Sequence, residues 1–125
     1  MTEIRMRSVM PVLRVSNLER ALRFYQGLLG FRLAWRAGND GGGENCMLES
    51  GDVALMLSTG SHLGGTPRLT GTLYFNMTRV RELYEALKDR AEIAWPPSEM
   101  EYGTLEFGIH DPDGYTLAFA EELED

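Results

Sequence analysis

The chain has 125 residues, a length that suits one domain with a single core or two small half-cores. Twelve Lys and Arg stand against 19 Asp and Glu, a net charge of −7. That balance repels phosphate backbones and leaves no basic stripe to offset the repulsion, so nucleic acid is excluded as a partner. No stretch approaches the roughly 20 apolar residues of a membrane span. The opening MTEIRMRSVM lacks the apolar run of a secretory leader, and Cys46 has no second thiol to pair with. The expectation is a soluble, cytoplasmic protein. A cationic small molecule suits the charge, although much of the excess lies in the tail Glu121, Glu122, Glu124 and Asp125.

Val9 to Val15, VMPVLRV, reads as a strand, with Pro11 tolerable only near an edge or a strand start. A helix follows, with Ser16 and Asn17 as candidate caps and Glu19 completing a Ser-x-x-Glu box. Leu18, Ala21, Leu22, Tyr25, Leu28 and Leu29 form its apolar face, and Gly30 stops it. FRLAWR, NCMLES and DVALMLS then read as three strands, separated by the loop GNDGGGE and the turn Ser50-Gly51-Asp52. The stretch from Ser58 to Arg68, rich in Gly, Ser, Thr and Pro, is a linker.

The order then repeats. TLYFNM is a strand, Thr78 a cap, and Val80, Leu83, Tyr84 and Leu87 one face of a helix ending near Lys88 and Arg90, where the dipole favours positive charge. AEIAW, TLEFGIH and YTLAFAE are three more strands, the last two joined by the turn Asp111-Pro112-Asp113-Gly114. One offset, 62 positions, pairs Leu13 with Phe75, Val15 with Met77, Leu18 with Val80, Ala21 with Leu83, Tyr25 with Leu87, Leu55 with Leu117 and Leu57 with Phe119. A single spacing across first strand, helix and last strand marks a duplicated β-α-β-β-β unit. The chain is therefore expected to be one α+β domain over residues 1–125: a first unit at 1–60, a linker at 61–70 and a second unit at 71–122.

The segments PVLRVSNLERALRFYQGLLGF and YGTLEFGIHDPDGYTLAFAE resemble the opening and closing signatures of the glyoxalase/bleomycin resistance/dioxygenase, or vicinal oxygen chelate, superfamily. The resemblance covers nearly the whole chain. It implies two tandem units whose curved mixed sheets surround a cavity, with the helices outside. It is less informative about activity, because that superfamily holds lyases, isomerases, oxygenases, thiol transferases and plain drug-binding proteins. Strand alternation places Leu13 and Val15 towards the helix and Met10, Val12 and Arg14 towards the cavity, with Thr72, Tyr74 and Asn76 facing it from the second unit.

In metal-dependent members, the first and last strands of each unit donate to a divalent cation. The matching positions here are Met10, Met56, Thr72 and Ala118. A hard or borderline cation requires carboxylate oxygen or imidazole nitrogen; thioethers suit soft ions such as Cu(I) at best, and a methyl group binds nothing. The resemblance is thus to the metal-free type, with no cofactor expected and metal-dependent catalysis disfavoured. His110 with Asp111 and Asp113 reads as turn chemistry. Ser58, Ser61 and His62 lie in a flexible loop unsuited to a nucleophile and its base. GNDGGGE precedes no helix and no Lys, so it is no phosphate cradle.

The ligand-binding candidates are Met10, Arg14, Trp35, Met56, Tyr74, Trp95, Tyr102 and Glu106. The methionines serve equally well as core filler or dimer contact. Trp35 and Trp95 end short strands beside loops, where pockets form. Glu106 lies between Leu105 and Phe107, so it enters the cavity if Phe107 packs under the helix; a solvent-facing salt bridge is the alternative. These residues suggest a protein that binds a small aromatic, apolar or cationic molecule, as in antibiotic or toxin sequestration. The alternative is a lyase or dioxygenase-type enzyme using Glu106 as acid or base, and a third reading is a domain kept for protein contacts. The resemblance implies a homodimer, with the units pairing within one chain or swapped between chains.

Overall fold

The computed structural model describes residues 4–38, 42–60 and 65–124. Residues 39–41 of the GNDGGGE loop, and Ser61 and His62 of the linker, lie outside the described residues. The elements run β1 (Val12–Arg14), α1 (Leu18–Leu22), β2 (Arg32–Gly38), β3 (Glu44–Ser50), β4 (Val53–Ser58), β5 (Thr72–Asn76), α2 (Val80–Leu87), β6 (Glu92–Glu99), β7 (Thr104–His110) and β8 (Thr116–Glu122). They form two four-stranded mixed sheets, β1-β4-β3-β2 and β5-β8-β7-β6, each with one parallel pair, and the sheets do not close into a barrel. The α+β architecture is as the residue pattern indicates. No helix among the described residues is long and apolar enough to cross a membrane.

The 62-residue spacing reappears as pairing register. Val12 stands opposite Met56, and Tyr74 opposite Ala118; Leu13 stands opposite Leu57, and Phe75 opposite Phe119. The spacing slips by one at the third strand, where Met47 pairs with Met56 but Gly108 pairs with Ala118. The cause is hairpin length: Ser50 and Val53 face each other across a two-residue turn, whereas His110 and Thr116 bracket five residues. Both units also carry a bulge at matching places, between Leu33 and Trp35 and between Ile93 and Trp95.

Several local expectations need correction. β1 is three residues long rather than seven, and Pro11, which has no N–H to give, contributes only its carbonyl, accepting from the Met56 amide at 2.9 Å. The cap of α1 is Asn17, whose side chain accepts the Arg20 amide at 2.9 Å. Ser16 instead donates its hydroxyl to Asp113, and Glu19 pairs with Arg36, so no capping box forms. After Leu22 the helix widens into a π-helical stretch, Arg23–Leu28, which buries the adjacent Phe24 and Tyr25 together. It ends at Gly30, whose φ of 78° suits a residue without Cβ. Thr78 does not cap α2; Arg79 holds that position in a left-handed conformation, and the Val80 amide donates to the Glu121 carboxylate of β8.

One core joins the two units. Leu13, Val15, Leu55 and Leu57 of the first sheet pack with Leu18, Ala21 and Tyr25, while Phe107, Ile109, Leu117 and Phe119 of the second pack with Val80 and Leu87. Phe31 meets Phe75 edge-on at 6.2 Å, and Phe75 stacks on Phe119 at 5.3 Å. Polar links reinforce this seam. Tyr25 donates to Asp111 at 2.7 Å, Tyr115 donates to the Arg14 carbonyl at 2.6 Å, and Ser16 and Arg20 both reach Asp113. The opposite faces of the sheets are uncovered in part: Val12, Trp35 and Tyr74 are exposed there, whereas Ala118 and Glu106 are buried.

Candidate functional site

Alternation settles which side chains those open faces carry. In the first sheet, Leu13, Cys46, Leu48, Leu55 and Leu57 are buried on the helix side. Val12, Met47 and Met56 therefore share the other side, in one cross-strand row that continues to Trp35. Val12 and Trp35 are each 40% exposed, and Met10, just before β1, is similarly open. This is a thioether and indole surface, and Met47 belongs to it although the sequence reading passed over it.

Arg14 lies on the same strand and borders a different hollow. Its Nε donates weakly to the Gly60 carbonyl at 3.4 Å, and it lines a hollow of about 550 Å³ with Arg68, Thr66 and Tyr115. It does not reach Glu106.

The second sheet carries the denser polar arrangement. Phe107 packs edge-on against Tyr84 of α2 at 5.4 Å, so Glu106 and Gly108 project to the open face. Glu106 is nonetheless 1% exposed. Its Oε2 accepts from the Tyr102 hydroxyl and the Thr104 hydroxyl, each at 2.8 Å, while its Oε1 is buried without a partner. The turn at Met100–Gly103 sets this geometry: the Gly103 amide donates to the Met100 carbonyl, and a φ of 91° at Gly103 folds Tyr102 back over the strand. Hydrogen bonding to Glu106, first, and then desolvation and the Glu106 charge push the Tyr102 phenol up to about 12, with a further contribution from Tyr74. Tyr74, on β5, is half exposed beside them.

Trp95 completes the group. It pairs with Gly108, and its six-membered ring occupies the place a side chain at 108 would take. Its Nε1 is buried without a partner. Tyr74, Trp95, Tyr102 and Glu106 thus gather on the second sheet, whereas Met10, Trp35 and Met56 gather on the first. Thr104 and Gly108 were not among the candidates. A glycine in mid-strand is the signal that could have marked a close approach there.

The four positions matched to cation donors do not fit one. Met56 and Ala118 face away from the helices on β4 and β8, opposite Val12 and Tyr74. A thioether there, a second thioether at Met10, the hydroxyl of Thr72 and a methyl offer a hard divalent ion one neutral oxygen. Among the described residues no three His, Cys, Asp or Glu side chains converge. The turn beside His110 has other employment: Asp111 Oδ1 accepts the amides of Asp113 and Tyr115, and Oδ2 accepts from Tyr25.

Two duplicated units, each a mixed four-stranded sheet with a helix packed on one side, define a tandem-unit α+β protein. The chain belongs to the glyoxalase/bleomycin resistance protein/dioxygenase superfamily, whose family model matches residues 7–119. No curated protein matches it. Among solved structures it is similar to TnmS3, an antibiotic binding protein from Streptomyces sp. CB03234, at 20% identity and a TM-score of 0.79, covering 96% of this chain and 99% of that one. A superfamily member from Sphaerobacter thermophilus gives 23% identity and a TM-score of 0.78, covering 94% and 98%. A glyoxalase I mutant from Zea mays gives 23% and 0.76, covering 92% of this chain and 45% of that one. At such identities the likeness is one of fold.

Proposed function

We propose that this protein is a metal-free binding protein for a small, flat molecule of aromatic or cationic character, held on the open faces of its sheets. The observation that carries this is Glu106: a fully buried carboxylate among Tyr102, Tyr74 and Trp95, with one oxygen unsatisfied. A carboxylate so placed is costly to folding and suits a ligand that brings a donor or positive charge. Large polarizable side chains around it supply stacking surface. The antibiotic binding activity of a structural neighbour is in keeping with this reading.

A homodimer forms part of the proposal. Val12, Met10, Trp35 and Tyr74 are apolar bodies left uncovered by one chain, and a second chain facing them would turn open faces into enclosed clefts. Native mass spectrometry tests the assembly and the metal-free state together: two chains and no metal are expected. One zinc or nickel ion per chain overturns the metal-free state.

The ligand class is tested by thermal denaturation with bleomycin-like cations. Stoichiometric stabilisation without turnover supports the binding protein. An enzyme that uses Glu106 as acid or base is the second reading, favoured by the same unsatisfied oxygen. Turnover of a methylglyoxal–glutathione adduct, lost in Glu106→Gln, would replace the first reading with the second.

A further inference from the structure

Among the described residues, three buried side-chain polar atoms lack a partner: Trp95 Nε1, Glu106 Oε1 and Asp113 Oδ2. The first two share one strand pair and one face. Trp95 lies opposite Gly108, and Glu106 is two residues from Gly108 on the same side of β7, roughly 7 Å along the strand. Buried polar groups are nearly always satisfied, and an unmet one costs the full desolvation of that group. Two on one patch of one sheet call for a common partner.

Their chemistry fixes what that partner must offer. An indole N–H can only donate, and an ionised carboxylate oxygen can only accept. A hydrocarbon leaves both unmet, and a simple ammonium meets only Glu106. A primary amide or lactam edge meets both, since there an N–H and the carbonyl oxygen stand side by side in one plane, whereas in an open-chain trans amide they point opposite ways. We propose that the open face of the second sheet recognises planar molecules through such an edge, with the ligand N–H donating to Glu106 Oε1 and the ligand carbonyl accepting from Trp95 Nε1. The role of Tyr102 and Thr104 is then to hold Glu106 by Oε2 and leave Oε1 for the ligand. This inference rests on the binding-protein reading and narrows its ligand class.

Three flat bicyclic probes separate the possibilities by titration calorimetry: 2-quinolone, its N-methyl derivative, and naphthalene. The 2-quinolone is expected to bind at least about tenfold more tightly than the N-methyl compound, which has lost the donor. Trp95→Phe should remove most of the advantage that both quinolones hold over naphthalene through the carbonyl, and keep the advantage of 2-quinolone over its N-methyl derivative, which Glu106 supplies. Equal affinity for all three probes overturns edge recognition while the binding-protein reading stands. So does an advantage of N-methyl-2-quinolone over naphthalene that survives Trp95→Phe, and so does failure of every probe when bleomycin-like cations still stabilise the protein; the two buried atoms are then bridged by water alone. Failure of probes and cations alike overturns both.

Discussion

A β-carbon placed on Gly108 would fall 2.4 Å from Cζ3 of Trp95 and 2.5 Å from Cη2, so the indole ring rests on bare backbone. The glycine needs no unusual φ to do this; its role is to be flat. Gly108→Ala should lift Trp95 from the sheet and cost about 1–3 kcal/mol, the usual range for overpacking. With Trp35→Phe in the background, Trp95 is the sole tryptophan, and its emission should move to longer wavelength as the ring becomes wetter. In a Trp95→Ala background the same Gly108→Ala change should be close to neutral, because nothing remains above it to displace. A full cost retained in that background would show that the strain lies elsewhere.

The bond between Tyr102 and Glu106 has a spectroscopic signature. The phenol is pushed up from 10.0 to about 12, chiefly because it donates to a carboxylate that would repel a phenolate. Protonated Tyr102 therefore supports the fold fully below pH 10, and that support is lost as pH rises through about 12. Glu106→Gln removes the charge and should bring one tyrosine back towards its ordinary value. Absorbance at the phenolate band, compared between the two proteins, should show one extra tyrosine ionising between pH 10 and 12 in the variant. Superimposable curves would mean that the hydrogen bond is not held in solution.

How much of this was legible in the residues differs by scale. The duplication was visible because a constant spacing leaves the same apolar side chains under each helix, and Leu13 with Leu57 repeats as Phe75 with Phe119 in the observed register. The direction of Glu106 was legible from alternation once Phe107 was assigned to the helix side. What escaped was contact between distant segments. Nothing local marks Glu121 as the group that meets the first amide of α2, or Asp113 as the partner of Ser16 and Arg20, because those pairings exist only after the strands are laid side by side. Arg14 and Glu106 show the same limit: both read as facing away from the helices, yet Arg14 bonds the Gly60 carbonyl and Glu106 bonds Tyr102 and Thr104, because alternation gives a face, not a distance.

The seam between the units gives a prediction about stability. Tyr25 is fully buried and donates to Asp111, 86 residues away, at 2.7 Å. Tyr25→Phe preserves the ring contacts with Phe24 and Phe31 and removes only the hydroxyl. Asp111 Oδ2 is then left without its donor, and the expected loss is about 1–3 kcal/mol. Chemical denaturation should show a lower midpoint with an unchanged slope, since the surface exposed on unfolding is the same. A loss below a few tenths of a kcal/mol would place water, not Tyr25, as the effective partner of Asp111.

Asp111 also sets a pH dependence whose sign is unusual for a hydrogen-bonded carboxylate. Burial raises its pKa above the ordinary 3.8, outweighing the donors Tyr25, Tyr115 and Asp113 that act to lower it. The folded protein therefore binds this proton more tightly than the unfolded chain, and the stability from it is present below pH 3.8 and declines as pH rises through the raised value. Asp111→Asn fixes the side chain in a neutral form. Its oxygen can still accept the amides of Asp113 and Tyr115, and its –NH2 can donate to the Tyr25 hydroxyl in place of the reversed bond. Stability at pH 7 is thus expected to be equal to or above that of the parent, within about 1 kcal/mol, and the decline from acid to neutral pH should flatten. Asp111→Leu, which can accept nothing, should instead cost several kcal/mol, because the Tyr115 amide, the partly buried Asp113 amide and a buried phenol lose their acceptor at once. Denaturation midpoints across pH 3 to 8 for the three proteins decide the matter; an asparagine variant as unstable as the leucine variant would show that the negative charge itself holds the turn.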